Sequence, residues 1–334
     1  KKRGIEKMKA IVLDRPGTPD AMRLAELPRP EPGPGEIRIR VRAASLNPAD
    51  YKVAAGGHPN WTYPVVPGLD AAGVVDAVGE GVDRWRAGDR VVYHGDLANP
   101  GAFAEYAIAK ARMAAAIPEG LSFEAAAAFP CAGLTAYQAL VRKMRFEEGQ
   151  TILVHAGAGG VGGYAIQLAR ALGASRILTS ASPGHSDYVR GLGADVAIDY
   201  NTEDVTARVL ELTNGRGADC ILNTVNRATA QADLSALAFG GQLVCIAGAP
   251  ETVADFQPSW KSFTLHKLML GGAHSSGDRA AEEDVARMAD EFMGLMLEGK
   301  IDPTIGEIIG LDEIPAALTR LARRHVRGKI VATL

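Results

Sequence analysis

The stretch that most restricts what this chain can become is Thr151-Ile152-Leu153-Val154-His155-Ala156-Gly157-Ala158-Gly159-Gly160-Val161-Gly162, continuing into Gly163-Tyr164-Ala165-Ile166. A short, apolar, β-branched run passes directly into glycines spaced G-x-G-x-x-G and then into apolar residues at helical period. That order predicts a strand, a tight turn and a helix. In such a turn Gly157 makes the bend, Gly159 admits a pyrophosphate to the backbone, and Gly162 lets helix and strand pack closely. Gly160 and Val161 stand where the helix begins, with free N–H groups and the positive end of its dipole. A second strand, Arg176-Ile177-Leu178-Thr179-Ser180, follows where a βαβ unit needs it. The expectation is a dinucleotide cradle rather than an ordinary glycine-rich loop.

The 334 residues suffice for two domains of ordinary size. With 47% hydrophobic and 22% charged residues the balance is that of a globular protein. The net charge is −3 and no basic block stands out, so nothing asks for a nucleic acid or an anionic membrane surface as partner, and neither is expected; small-molecule chemistry is the better reading. Cys131, Cys220 and Cys245 are odd in number, far apart and in apolar settings. They argue against a disulfide framework and for a reducing, cytoplasmic setting. No apolar run is long enough for a bilayer, and the N-terminal stretch carries no signal-peptide core. Residues 1–7 are charged and without pattern, so a disordered extension is expected before a first strand at Met8.

Ahead of the glycine stretch come short strands broken by Gly and Pro: Met8–Leu13, Glu36–Arg42, Val65–Gly79 and Ala87–Tyr93. Their density predicts a small irregular β-barrel. In Glu36–Arg42 strict alternation assigns the arginines to solvent, while Asn47–Lys52 and Gly56–Pro64 are expected as loops. Ser122 is a helix N-cap. Beyond the stretch, strands at Ala194–Tyr200, Asp219–Val225, Gly241–Gly248 and Leu268–Gly272 alternate with helices, which means a parallel sheet covered on both faces. The terminal strand Gly328–Leu334 has no helix after it and is expected to return to the first domain.

With these motifs the chain resembles the medium-chain dehydrogenase/reductase superfamily, and within it the zinc-independent quinone oxidoreductase (zeta-crystallin-like) branch. The likeness rests on Ser45-Leu46-Asn47-Pro48-Ala49-Asp50, Pro67-Gly68-Leu69-Asp70-Ala71-Ala72-Gly73, Ala87-Gly88-Asp89-Arg90-Val91, Gly133-Leu134-Thr135-Ala136-Tyr137, the glycine turn, and Gly328-Lys329-Ile330-Val331. It implies an α/β fold: a Rossmann doubly wound parallel sheet (130–275) plus a GroES-like irregular β-barrel domain formed by both chain ends (8–129 and 276–334), with the active site in the cleft between them. It also implies that Asn47 and Leu69 stand where zinc-dependent relatives carry Cys and His, leaving only Asp70 and Cys131 of that pattern. No metal is therefore expected. Thr135, Ala247, Gly248, Gly271 and Gly272 are implied at the nicotinamide end, and Lys329 at the cofactor. Tyr200 matches a position that touches the adenosine phosphate in the family; the other reading is a tyrosine packed at the sheet edge.

An NAD-selective unit places Asp or Glu about 20 residues past its glycines. Here that region is Thr179-Ser180-Ala181-Ser182-Pro183-Gly184-His185, with no acid. NADPH is the expected cofactor, with Ser180 and Ser182 as phosphate donors and His185 adding charge. Without a metal the natural reaction is hydride delivery to an acceptor that already withdraws electrons, a quinone or an α,β-unsaturated carbonyl. Asn47 is expected to hydrogen-bond the acceptor oxygen. Tyr51 and Tyr63, in the loops assigned to the acceptor pocket, are expected to donate a proton or stack on a flat ring. Asp50 is expected to hold its loop, and His58, His94, His155 and His266 to be structural or superficial. Two other readings stand beside the quinone reductase: an NADPH-dependent enal or enone (alkene) reductase, and a non-catalytic NADPH-binding protein. A homodimer is expected through an exposed sheet edge near Leu243–Ile246 and Leu268–Leu270.

Overall fold

The computed structural model describes residues 6–253, 261–323 and 326–334. Its chain divides into two compact units: Lys1–Leu134 with Gly271–Glu298 and Pro303–Leu334, and Thr135–Leu270 with Gly299–Asp302. In chain order the first unit holds β1 (Lys7–Val12), β2 (Arg23–Pro28), β3 (Glu36–Ser45), α1 (Pro48–Gly56), β4 (Asp70–Val78), β5 (Arg90–His94), β6 (Tyr106–Lys110), β7 (Ala115–Ala116) and α2 (Phe123–Ala128), after which α3 (Pro130–Tyr137) leads out. The second holds β8 (Thr151–Val154), α4 (Gly160–Ala171), β9 (Arg176–Ala181), α5 (Ser186–Gly191), β10 (Val196–Asp199), α6 (Val205–Leu212), β11 (Ala218–Asn223), α7 (Arg227–Ala236), β12 (Leu237–Cys245) and β13 (Phe263–Lys267). The chain then returns to the first unit with α8 (Gly272–Ser275), α9 (Arg279–Leu297), β14 (Ile305–Gly310), α10 (Ile314–Ala322) and β15 (Lys329–Thr333).

The second unit is a six-stranded parallel sheet in the order β10-β9-β8-β11-β12-β13. The chain winds outward from β8 to β10, then crosses to β11 and winds outward the other way. The direction reverses between β8 and β11, where open sheets of this kind bind ligands beyond their strand ends. Leu153, Leu178, Ile198, Ile221 and Leu243, one from each of five strands, share one buried core with Val209 of α6 and Leu234 of α7.

In the first unit the seven-stranded sheet runs β14-β15-β3-β4-β5-β7, with β6 also pairing β3 and β1–β2 as a separate hairpin. β15 pairs antiparallel with β3, so the chain end does come back to this unit. The register sets Ser45 opposite both Asp70 and Val331, which gathers the ends of three strands at one corner.

Several expectations change. Glu6 and Lys7 belong to the fold, since Lys7 opens β1 and the Glu6 carbonyl accepts from Arg29 N at 2.8 Å; residues 1–5 of the expected extension lie outside the described residues. Asn47–Lys52 is not a loop: Pro48 and Asp50 start α1, Pro pre-set at the first helical position and Asp50 accepting from Asn47 N at 2.7 Å. Leu268–Gly272 is not a strand, because pairing with β12 ends at Lys267. The outermost strand on this side, among the described residues, is consequently Phe263–Lys267, while Leu243–Cys245 lie inside the sheet. Arg38 is not in solvent. It is 5% exposed, donating from Nε to Asp76 Oδ2 at 2.6 Å and from Nη1 to Glu31 Oε2 at 2.7 Å and Pro30 O at 2.9 Å. Alternation gave the right face only for Arg40 and Arg42, which are exposed.

Replacing Arg38 by Met keeps its apolar stem but leaves the half-buried Asp76 without its cation. Because Asp76 still reaches some water, R38M is expected to lose about 2 kcal/mol, below the range for a fully buried pair. A lowered urea midpoint would show this, and an unchanged midpoint would contradict it.

Candidate functional site

In the second unit the glycine turn is built by backbone crowding. A Cβ on Gly157 would run into Thr179 Oγ1, and one on Gly162 into the Ala156 carbonyl oxygen. Both positions must be bare for β8, the turn and α4 to close on each other. Ala156 itself is left-handed, with φ 52°, at a cost of about 1–2 kcal/mol for a residue with a Cβ. Gly159 is the exposed N-cap of α4, and Gly160 and Val161 are its half-buried first residues. Gly159 N already donates to Ala156 O at 2.9 Å, and the N–H groups of the first helical turn, from Gly160 on, have no intrahelical acceptor, which is an anion site in form.

The sheet being parallel, the C-terminal ends of its strands lie along one edge. Ser180 and then Ser182 and His185 follow along β9 and past it, Tyr200 follows β10, and Ala247 and Gly248 follow β12. Ser182 Oγ and His185 Nδ1 lie 2.7 Å apart and both residues are partly exposed. Tyr200 is 55% exposed, so the reading of a ring packed at the sheet edge does not hold. Ser180 also departs from expectation: it is 3% exposed, and its Oγ accepts from Ala156 N at 3.1 Å and faces His155 Nδ1 at 3.1 Å. It pins the turn from beneath instead of reaching toward a phosphate. Thr135, buried on α3, is in this unit too, whereas Gly271, Gly272 and Lys329 are in the first.

In the first unit the corner made by β3, β4 and β15 buries a polar cluster. Asp70 Oδ2 accepts from Asn47 Nδ2 at 2.9 Å, Cys131 N at 2.9 Å and Ser45 Oγ at 3.2 Å. Lys329 Nζ donates to Asn47 Oδ1 at 2.6 Å and to Leu46 O at 3.0 Å. Asn47 is 1% exposed and both ends of its carboxamide are committed. It therefore ties Asp70 to Lys329, in place of the expected contact with an acceptor oxygen. Lys329 is likewise engaged inside this unit. Burial lifts Asp50 from the ordinary 3.8 to about 8, against the pull of the Asn47 N–H, and lifts Asp70 to about 6, against the pull of the Lys329 ammonium. Burial also pushes the Cys131 thiol up, so the free thiol is not a ready nucleophile. A zinc ion does not fit here. Leu69 has no donor atom, the Asn47 carboxamide is committed to Asp70 and Lys329, and the Asp70 carboxylate is already held by three donors beside an ammonium. Among the described residues no group of three or more His, Cys, Asp or Glu is arranged to hold a metal.

A cavity of about 430 Å³ opens in the same unit, with Tyr93, His94, Tyr106, Pro64 and His274 in its wall. Tyr51 and Tyr63 are not among its lining residues. Tyr51 is on α1, and the Tyr63 hydroxyl is buried with no hydrogen-bond partner while its ring meets Trp61 edge-on at 6.2 Å. The sequence reading took His94 as structural or superficial and did not foresee its pairing with His274; the two rings stack at 5.5 Å. They are 180 residues apart in sequence, so no spacing rule joins them. Burial lowers both to about 4, which keeps them neutral in the physiological range.

Asp50 and Asp70 have a consequence for stability. Their folded values lie above the unfolded ones, so from about pH 4 upward the unfolded chain releases these protons first. Folding stability therefore falls as pH rises through the window from about 4 to about 6 for Asp70 and to about 8 for Asp50. Asp50→Asn keeps an oxygen for the Asn47 N–H and removes the charge; its thermal midpoint is expected to change much less between pH 5 and pH 8 than that of the wild type. Equal slopes for both proteins would contradict the assignment.

Comparison with known proteins places the chain. The alcohol dehydrogenase GroES-like domain model matches residues 33–119, and the zinc-binding dehydrogenase model matches residues 160–292. A quinone oxidoreductase from Pseudomonas aeruginosa is 36% identical over 294 residues, 86% of this chain and 88% of that protein. Among solved structures, the quinone oxidoreductase of Pseudomonas syringae pv. tomato matches with a TM-score of 0.87 at 30% identity, covering 98% of this chain and 100% of the other. A mycobacterial structure in complex with NADPH matches with a TM-score of 0.86 at 32% identity, over 98% and 100% of the two chains. The sheet order, the glycine turn and these relatives agree: the chain is an oxidoreductase of the medium-chain dehydrogenase/reductase superfamily, in its quinone oxidoreductase branch.

Proposed function

We propose that this chain is an NADPH-dependent reductase that delivers hydride to a quinone without a metal ion. The observation that carries the cofactor choice is the end of β9, where the chain continues as Ser182-Pro183-Gly184-His185 with no carboxylate to take the ribose hydroxyls or repel a phosphate. The nearest acid, Asp187, is fully exposed and leans toward Arg190 at 3.8 Å. Ser182 and His185 are the pair that would bind a 2′-phosphate, and the bare Gly157–Gly162 turn would take the pyrophosphate at the start of α4. The reduced nicotinamide, when bound, supplies the hydride. A quinone already withdraws electrons, so the protein's part is to hold and orient rather than to activate by a Lewis acid. The 430 Å³ cavity is of a size for a small flat acceptor, with aromatic and proline walls that favour apolar rings. A two-fold dimer through the outermost strand β13 belongs to the same proposal; a monomeric mass in solution would contradict it.

Chelator-treated protein is expected to oxidise NADPH rapidly in the presence of a simple quinone, with kcat/KM for NADH lower by at least about tenfold, the worth of one charge-assisted contact. H185A combined with S182A should narrow that ratio toward one by losing NADPH efficiency while leaving NADH little changed. Loss of turnover on chelation, or equal use of both cofactors by the wild type, would contradict the proposal. Turnover with enones and none with quinones would transfer the reading to alkene reduction.

A further inference from the structure

Beneath the glycine turn lies a polar chain that neither hydride transfer nor phosphate recognition uses directly. His155, the last residue before the turn, is buried, and so are Ser180, Asn223 and Asp233. His155 Nε2 lies 2.7 Å from Asp233 Oδ1 on α7, and its Nδ1 lies 3.1 Å from Ser180 Oγ at the end of β9. Asn223 Nδ2, at the end of β11, donates to the other oxygen of Asp233 at 2.6 Å. Ser180 Oγ accepts from Ala156 N at 3.1 Å, and Ser180 O accepts from Gly157 N at 3.1 Å. Of the expected readings for His155, structural or superficial, the structure bears out the first, and it adds two partners that the sequence did not reveal.

One arrangement of hydrogens satisfies the whole chain: His155 Nε2–H donates to Asp233 Oδ1, and the Ser180 hydroxyl donates to His155 Nδ1 while its oxygen accepts the Ala156 N–H. Every polar side-chain atom along Asp233–His155–Ser180 has a partner, and the last link ends on the backbone N–H of Ala156, the residue held at φ 52°. Three strand ends and one helix are joined through it. We propose that Asp233, His155 and Ser180 form a buried positioning relay that holds the glycine turn in the shape that receives the dinucleotide. These are positioning residues, since they act on the cofactor only through the turn, and the inference rests on the cofactor reading above.

The relay acts on the pyrophosphate cradle, not on the ribose end. Breaking it weakens NADPH and NADH binding by the same factor, whereas changes at Ser182 or His185 alter their ratio. Four variants of the full chain test this by titration with each nucleotide, read from nicotinamide fluorescence, with thermal melts alongside. His155→Asn keeps a polar atom on the Ser180 side and His155→Gln keeps one on the Asp233 side, and each breaks the other link. Ser180→Ala removes the hydroxyl and Ser180→Thr restores it. H155N, H155Q and S180A are expected to raise Kd for both nucleotides in parallel, by roughly tenfold for one lost net hydrogen bond, and S180T to return close to the wild type. Melting points that fall while both Kd values stay put would show a purely structural network and overturn the relay. A wild-type Kd in H155N would show that the Asp233 limb is idle and would overturn the relay equally. Failure of the wild type to bind either nucleotide would instead overturn the cofactor reading, and the relay's function with it.

Discussion

Two backbone segments touch at the end of β8 with no side chain between them, and the rest of the second unit depends on that contact. Gly162 lies against the Ala156 carbonyl and Gly157 against the Thr179 hydroxyl, so α4 can begin directly above the strand it follows. A helix start placed there presents unpaired N–H groups beyond the C-terminal edge of a parallel sheet, beside the reversal between β8 and β11. Such an arrangement has the form of an anion site by geometry, before any charged side chain is considered. It is also strained, since Ala156 carries a Cβ in a left-handed conformation, and strain of this kind persists only where neighbours over-determine it. The hydrogen bonds from Ala156 N and Gly157 N to Ser180 supply that constraint.

Two of the buried polar clusters, one in each unit, close strand ends, and the two are differently balanced. In the second, one carboxylate meets a histidine and an asparagine, and every hydrogen-bonding atom along the chain to Ala156 finds a partner. In the first, Asp50 and Asp70 share one lysine, and each keeps an oxygen with no hydrogen bond. Two buried carboxylates near a single ammonium cannot both ionise cheaply, which is why burial lifts both and why Asp50 holds its proton the longer. That corner is also where a zinc-dependent relative would gather its ligands. With Leu69 in place of a donor and Lys329 supplying the positive charge, the site has become a set of hydrogen bonds closing three strand ends.

The second unit was largely legible in the sequence because its signals are local. Apolar runs of strand length, glycine spacing and helix-period residues lie side by side, and the strand order follows from alternation of strand and helix. The first unit was legible as a class, with its errors where long-range packing decides. Arg38 alternates like a solvent residue, yet Asp76 and Glu31, distant in sequence, bury it. The α1 helix carried a readable signal, Asn47-Pro48-Ala49-Asp50, a cap followed by proline and then an acid at the third helical position, but the polar residues around it suggested a loop. Ser180 was rightly placed at the strand end and wrongly aimed: a strand alternates faces, and whether a hydroxyl points to the ligand edge or under the turn depends on His155 and Ala156. The pairing of His94 with His274 had no local signal at all.

Hydrogen exchange read by mass spectrometry, with and without NADPH, bears on the central claim most directly. Binding at the glycine turn protects the amides from about His155 to Gly163 and those from Ser180 to Ser186, while β3, β4 and the α9 helix keep their rates. Protection confined to other segments, or no protection at saturating NADPH, would contradict the assignment of the turn as the cofactor site.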